Sequence, residues 1–207
     1  IRIEAPVPGR PYVGIEVPND KPSLVSLREV METREFRRLS SPLKIALGKG
    51  VAGQPVVADL TTMPHLLIAG ATGSGKSVCI NSIITCLIMQ NPPEKLKLLL
   101  IDPKRVELSH FSGLPHLLAP VVVELDQVTG ALTWLVRSME ERYRLFSEVK
   151  ARHIEHFNAK SSKLGKEPLP YIVLVIDELA DIMMIAPDET ERLLTRLAQL
   201  SRATGIH

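Results

Sequence analysis

At 207 residues the chain is long enough for one full α/β domain and a small appendage. Its 45% hydrophobic content supports a packed core, and the 4% aromatic content makes that core aliphatic, as in parallel sheets. A net charge of +2 gives no compositional argument for nucleic acid, no run of about 18 apolar residues is long enough to span a membrane, and no secretory leader pattern is read at the start.

The first residue is Ile rather than Met, which points to a portion of something longer. Residues 1–40 are expected to be the end of a preceding subdomain and its connection. Pro6, Pro8, Pro11, Pro18 and Pro22 punctuate short β-like runs there, and one short helix is predicted over 27–38 with Ser26 as N-cap. Ser41-Pro42 marks a boundary, after which 41–207 reads as a single domain. Strands are predicted over 43–47 and 55–60 around the turn Gly48-Lys49-Gly50. A third apolar run, His65-Leu66-Leu67-Ile68-Ala69, is predicted to be the strand that feeds the next motif.

That motif is Gly70-Ala71-Thr72-Gly73-Ser74-Gly75-Lys76-Ser77, which fills G-x-x-x-x-G-K-[ST] at every fixed position. A helix pattern follows it, with Ile80, Ile83, Ile84, Leu87 and Ile88 on one face. The glycines let backbone N–H groups turn inward around phosphate oxygens. Lys76 is placed to reach the β- and γ-phosphates, and the Ser77 hydroxyl to hold Mg²⁺. Residues 70–77 together with Val78 are therefore the expected ATP-binding set. Cys79 and Cys86 lie seven apart on this helix, about 10 Å along its axis and too far for a disulfide. Both read as small apolar core residues, and His153 and His156 lack the companions a zinc site needs.

Pro92-Pro93 stops the helix, and 96–101 reads as a buried strand ending at Asp102-Pro103-Lys104. A strand is predicted at 121–123. Asp126 is expected to cap a long helix with Val128, Leu132, Leu135, Met139, Tyr143 and Phe146 on its apolar face and Arg137–Glu141 and Glu140–Arg144 pairs on the other. A short helix is predicted at 152–157 and a polar loop at 161–170. The apolar run 172–176 has the unbroken pattern of a strand buried on both faces, and it ends in Asp177-Glu178. A last helix is predicted over 188–204, with Asp188 and Glu191 as a capping box and Gly205 past its end. Alternating strands and helices make a mainly parallel sheet flanked by helices, and such a sheet calls for another strand after Ile206-His207.

Asp177 at the strand end faces the metal held by Ser77, and Glu178 beside it can accept a proton from an attacking water. Adjacent Asp and Glu favour an NTPase that activates water over a kinase. Asp102, next to Lys104, either stands behind the nucleotide or organises its own loop. Arg202 projects away from the face on which Leu193, Leu194, Leu197 and Leu200 are expected to be buried. It reads either as a finger for another subunit or as a solvated arginine. The basic stretch Arg142, Arg144, Lys150, Arg152, Lys160, Lys163 and Lys166 is either a phosphate-backbone face or a solvated surface.

Several motifs together resemble the FtsK/SpoIIIE family of DNA translocases. They are the segment His65 to Ser77, Ile101-Asp102-Pro103-Lys104, Gly113-Leu114-Pro115-His116-Leu117-Leu118, Met139-Glu140-Glu141-Arg142-Tyr143 and Ile176-Asp177-Glu178-Leu179-Ala180-Asp181. Pro8-Gly9-Arg10-Pro11-Tyr12-Val13-Gly14 and Leu27-Arg28-Glu29-Val30 also look like that family's pre-motor segment. The resemblance implies a RecA-like P-loop NTPase, here without its C-terminal strands, that assembles as a homo-hexamer around double-stranded DNA and spends ATP with Mg²⁺ at subunit interfaces. It implies Lys76, Asp177 and Glu178 in catalysis with Arg202 acting in trans. Asp102, Lys104 and Arg152 are, from their own positions, further candidates behind the nucleotide or at DNA. The resemblance further implies a cytoplasmic motor portion of a protein anchored in the bacterial inner membrane at the septum, with division-site proteins and Xer-type recombinases as partners. Two other readings are a hexameric coupling ATPase of conjugation or secretion and a non-catalytic nucleotide-binding scaffold. The intact Lys76, Ser77, Asp177 and Glu178 weigh against the scaffold.

Overall fold

The central pair of strands is dictated by two unbroken apolar runs. In the computed structural model, β5 (Leu96–Ile101) and β6 (Tyr171–Ile176) pair in parallel, Leu96 opposite Tyr171 through Ile101 opposite Ile176. The structure describes residues 1–207 except Pro8, Arg10, Pro22, Ser162 and Leu164. Parts of the early proline-rich segment and of the predicted polar loop at 161–170 thus lie outside the described residues.

Because successive side chains alternate across a strand, β5 feeds two cores. Leu96, Leu98 and Leu100 join Ile80, Ile83, Ile84 and Leu87 of α3 (Lys76–Gln90) on one face. Leu99 and Ile101 meet Val128, Leu132, Leu135 and Met139 of α4 (Leu125–Glu148) on the other. Helices α6 (Leu179–Ile185) and α7 (Pro187–Leu200) complete that second layer with Ile182, Leu193 and Leu197. The product is a three-layer sandwich whose strand carboxyl ends, Ile101 and Ile176, open toward one edge.

An N-terminal hairpin pairs β1 (Arg2–Glu4) with β2 (Gly14–Glu16), and a second pairs β3 (Lys44–Lys49) with β4 (Pro55–Asp59) around a bulge at Ala46/Gly48. The region 27–38 is two helices, not one: α1 (Leu27–Met31) and α2 (Arg34–Arg38). Ser26 caps the first by accepting from Glu29 N–H, as expected, but Thr33 adopts extended backbone and caps the second by accepting from Phe36 N–H. Val30 and Phe36 then bury against Ala46 and Cys86.

Several further expectations change. The run 65–69 is not a strand, because its backbone joins none of the described sheets. The predicted strand at 121–123 shrinks to a single bridge, Val122 opposite Ile101. Helix α4 is capped by no side chain, Asp126 standing inside its first turn, and Glu140 pairs with Arg196 of α7 rather than with Arg144. The last helix ends at Leu200 and begins with Pro187 at its first turn, without the Asp188/Glu191 box. Arg202–Thr204 forms a separate 3-10 turn, and Leu200 is exposed. The helix predicted at 152–157 is α5 (Ile154–Ser161).

Candidate nucleotide-binding site

The glycine-rich loop leads into α3 through Gly75, which takes φ +95°, a left-handed conformation that a side chain would strain. Gly73 does the same at φ +79°. No side chain caps α3, so the N–H groups of its first turn (Lys76, Ser77 and Val78) are left to an external acceptor. Residues 70–75 and Val78 are exposed, and Gly70 packs so closely on Ser74 that a Cβ there would meet its Oγ at 2.2 Å. An uncapped helix N-terminus behind a glycine-rich loop suits an anion of phosphate size, which is the fit the motif predicts.

Lys76 crosses from this helix to the end of β6. Its ammonium donates to the Asp177 carbonyl at 2.6 Å and to Asp177 Oδ1 at 3.4 Å, and it stands 3.6 Å from Glu178 Oε2. The structure therefore brings together Lys76, Asp177 and Glu178 across 101 residues of sequence. Asp177 is buried, and that burial, with Asp102 and Glu107 nearby, pushes its carboxyl above the ordinary range despite Lys76. For Glu178 a burial cost is outweighed by Lys76 and Lys104, so its carboxyl lies below the ordinary range. The two neighbouring carboxyls are thus shifted in opposite directions.

Asp102 resolves toward its own loop. Its Oδ2 accepts from Glu107 N–H at 3.0 Å and Leu108 N–H at 2.9 Å, while Arg105 N–H donates to its carbonyl at 3.1 Å. Lys104, carried by that loop, lies 3.4 Å from both Glu178 Oε2 and Asp181 Oδ2. The part played by Asp181 was invisible in the sequence, since only the fold sets it beside a lysine 77 positions earlier. Arg202 is exposed and donates from Nε to the Thr61 carbonyl at 3.2 Å.

Arg152 is exposed in the bend before α5. Glu155, three residues on, meets the Tyr171 hydroxyl at the amino end of β6, a strand about 20 Å long whose other end carries Asp177. Arg152 therefore stands apart from the Lys76 cluster. The rest of the basic stretch divides. Arg142 is buried, donating to the Thr204 and Pro170 carbonyls at 2.7 Å each, and burial lowers its guanidinium to about 10. Lys166 pairs with Glu148 at 2.6 Å, and Lys160 donates to the Val149 and Lys150 carbonyls.

Beside Lys76 a cavity of about 560 Å³ separates residues 64–70 from β6, with Leu66, Ile68, Val173, Val175, Leu197 and His207 among its walls. His207 bridges onto β6, donating from its N–H to the Ile172 carbonyl while its own carbonyl accepts from Leu174 N–H, both at 2.9 Å. Burial drops its imidazole to about 4. Among the described residues no helix is long and apolar enough to cross a membrane.

Residues 26–207 match the model of the FtsK/SpoIIIE family. Over its whole length the chain is 54% identical to a DNA translocase FtsK of Clostridium tetani and 51% identical to the DNA translocase SpoIIIE of Bacillus subtilis. It spans only 28% and 27% of those two proteins. Among solved structures it is similar to the pCW3 conjugation coupling protein TcpA, with a TM-score of 0.67 and 30% identity over 82% of this chain and 48% of that one. It is also similar to the cytoplasmic domain of the type VII secretion ATPase EccC of Thermomonospora curvata, with a TM-score of 0.69 and 25% identity over 82% and 21% of the two chains. The fold is accordingly of the RecA-like P-loop class, with small antiparallel additions at its N-terminal side.

Proposed function

The chain belongs to the FtsK/SpoIIIE family, and from that premise we propose that it is the ATP-hydrolysing motor of a double-stranded DNA translocase. The observation that carries the reading is the convergence of Lys76, Asp177 and Glu178 under an exposed glycine loop. Residues 70–78 bind the triphosphate through backbone amides. Lys76 trades its carboxylate contacts for phosphate oxygens, and Glu178 takes the proton of the attacking water. Ser77 and Asp177 would hold Mg²⁺, which would supply charge neutralisation at the phosphates. Arg202, exposed and donating to the Thr61 carbonyl of its own chain, serves the site of a neighbouring subunit in a hexameric ring.

We also assign residues 41–207 to the motor domain and 1–40 to the end of a preceding subdomain, and we infer a further strand after His207. The cavity between 64–70 and β6 has apolar walls, and His207 already pairs with β6 along the side that faces it. A strand entering there would pair with both and convert 65–69 into the strand its sequence predicts. The motor works on chromosomal duplex on the cytoplasmic side of a division-site membrane.

The curated relatives at 51–54% identity carry the name DNA translocase, whereas the conjugation and secretion neighbours stand at 25–30%. That favours duplex DNA over protein or single strands as cargo. ATP turnover by the full-length protein, measured with and without linear duplex, tests the reading. Duplex is expected to raise turnover several-fold. Turnover indifferent to duplex would return the coupling-ATPase reading.

A further inference from the structure

Lys104 has no task in the hydrolysis assigned to Lys76, Asp177 and Glu178, yet its loop is built to place it. Two N–H groups of the loop, those of Glu107 and Leu108, donate to one buried carboxylate oxygen of Asp102, and Arg105 holds φ +59°, an uncommon conformation for a non-glycine residue. From there the Lys104 ammonium reaches the junction of β6 and α6, 3.4 Å from Glu178 Oε2 and 3.4 Å from Asp181 Oδ2. Asp181 lies one helical turn beyond Glu178, so the two carboxylates grip a single cation. Lys76 approaches the same Oε2 at 3.6 Å, so among the described residues both ammonium groups bear on one oxygen and Oε1 is the one left for a proton.

The two lysines are not equivalent. Lys76 belongs to the helix behind the glycine loop, and phosphate draws its ammonium away from the acids. Lys104 belongs to a loop anchored on Asp102, outside the glycine loop and its helix. We propose that Lys104 is a positioning residue for Glu178: with Asp181 as its second anchor it fixes Oε2 and so orients Oε1 for the water, keeping the carboxylate in place once Lys76 engages phosphate. The proposal rests on Glu178 being the water-activating base. Lys104 is half exposed, so the ion pair adds little to folding stability. Its effect lies in orientation, where a misplacement of about 1 Å can cost on the order of 100-fold in rate.

The test is ATP turnover by the full-length protein carrying Lys104→Ala, Lys104→Arg, Glu178→Gln, or Lys104→Ala with Glu178→Gln, each without DNA and with saturating duplex. Lys104→Ala is expected to lower kcat about tenfold in both conditions, with KM for ATP unchanged within about twofold. Lys104→Arg is expected to recover most of the loss. In single-turnover measurements Lys104→Ala is expected to add nothing to Glu178→Gln, because the carboxylate it orients is gone. Wild-type kcat in Lys104→Ala, a change confined to KM, or an equal loss in both backgrounds would overturn the positioning role. A loss seen only with duplex would overturn it in favour of a DNA contact. Full turnover in Glu178→Gln would instead overturn the assignment of the base, and the role of Lys104 with it.

Discussion

Two arginine and lysine positions show how much a side chain's surroundings decide. Lys76 sits in a sequence template and turns its ammonium onto the acids at the end of β6, where a carbonyl at 2.6 Å and two carboxylates satisfy its charge. Arg142 sits in a run of basic residues and does the opposite of what such a run suggests. It is buried, and it ties α4 to the start of β6 and to the turn after α7 by donating to the Pro170 and Thr204 carbonyls. Removing it strands one buried and one partly buried acceptor, so Arg142→Ala is expected to cost about 2–4 kcal/mol and lower the thermal midpoint by several degrees. A calorimetric scan that left the midpoint within about 1 °C would show that those carbonyls find other donors. The glycine loop, Lys76, Asp177 and Glu178 were legible because their chemistry requires fixed residue types at fixed local spacing. Arg142 and the Lys104–Asp181 contact were not. An arginine inside a basic stretch reads the same whether it faces water or a pair of carbonyls, and a contact between positions 104 and 181 exists only once β5 and β6 are side by side.

At the level of elements, the apolar runs of β5 and β6 were read almost to the residue, since a strand buried on both faces leaves no polar alternation to confuse its ends. The apolar stripes of α3 and α4 were equally plain, with Ile84, Leu87, Leu132 and Leu135 all buried. The run 65–69 had as strong a strand pattern and is not a strand, because strand identity belongs to a pair of segments and not to one. Thr33 divides α1 from α2 for a local reason that periodicity overlooks: its hydroxyl offers the backbone a cap where a helix interior would not use it. The turn after α7 carries the arginine proposed to act in trans. Arg202 lies beyond the helix in a 3-10 turn, so its direction is set by Ser201 and Gly205 rather than by the wheel of α7. If it serves a neighbouring site, Arg202→Ala and Glu178→Gln proteins, each inactive alone, should recover turnover when mixed, because an interface then unites an intact Glu178 with an intact Arg202. Mixtures that stayed inactive would place Arg202 in its own subunit's chemistry or outside it.

For the molecule as a whole, the three-layer sandwich gathers its chemistry on one edge, where the carboxyl ends of β5 and β6 meet the amino end of α3. The loop from Asp102, the acid pair after β6 and the first turn of α6 all converge there, while Arg152 and the α5 region lie toward the other end of β6. On the proposed reading such an edge binds and cleaves a triphosphate; movement of DNA needs that cleavage to be coupled to a second body. The most direct measurement is displacement of a third strand from a duplex carrying a triplex, by the full-length protein with ATP. Displacement is expected with ATP, and it should vanish without ATP or with Glu178→Gln. Sustained ATP hydrolysis on that same duplex with the third strand left in place would contradict the account.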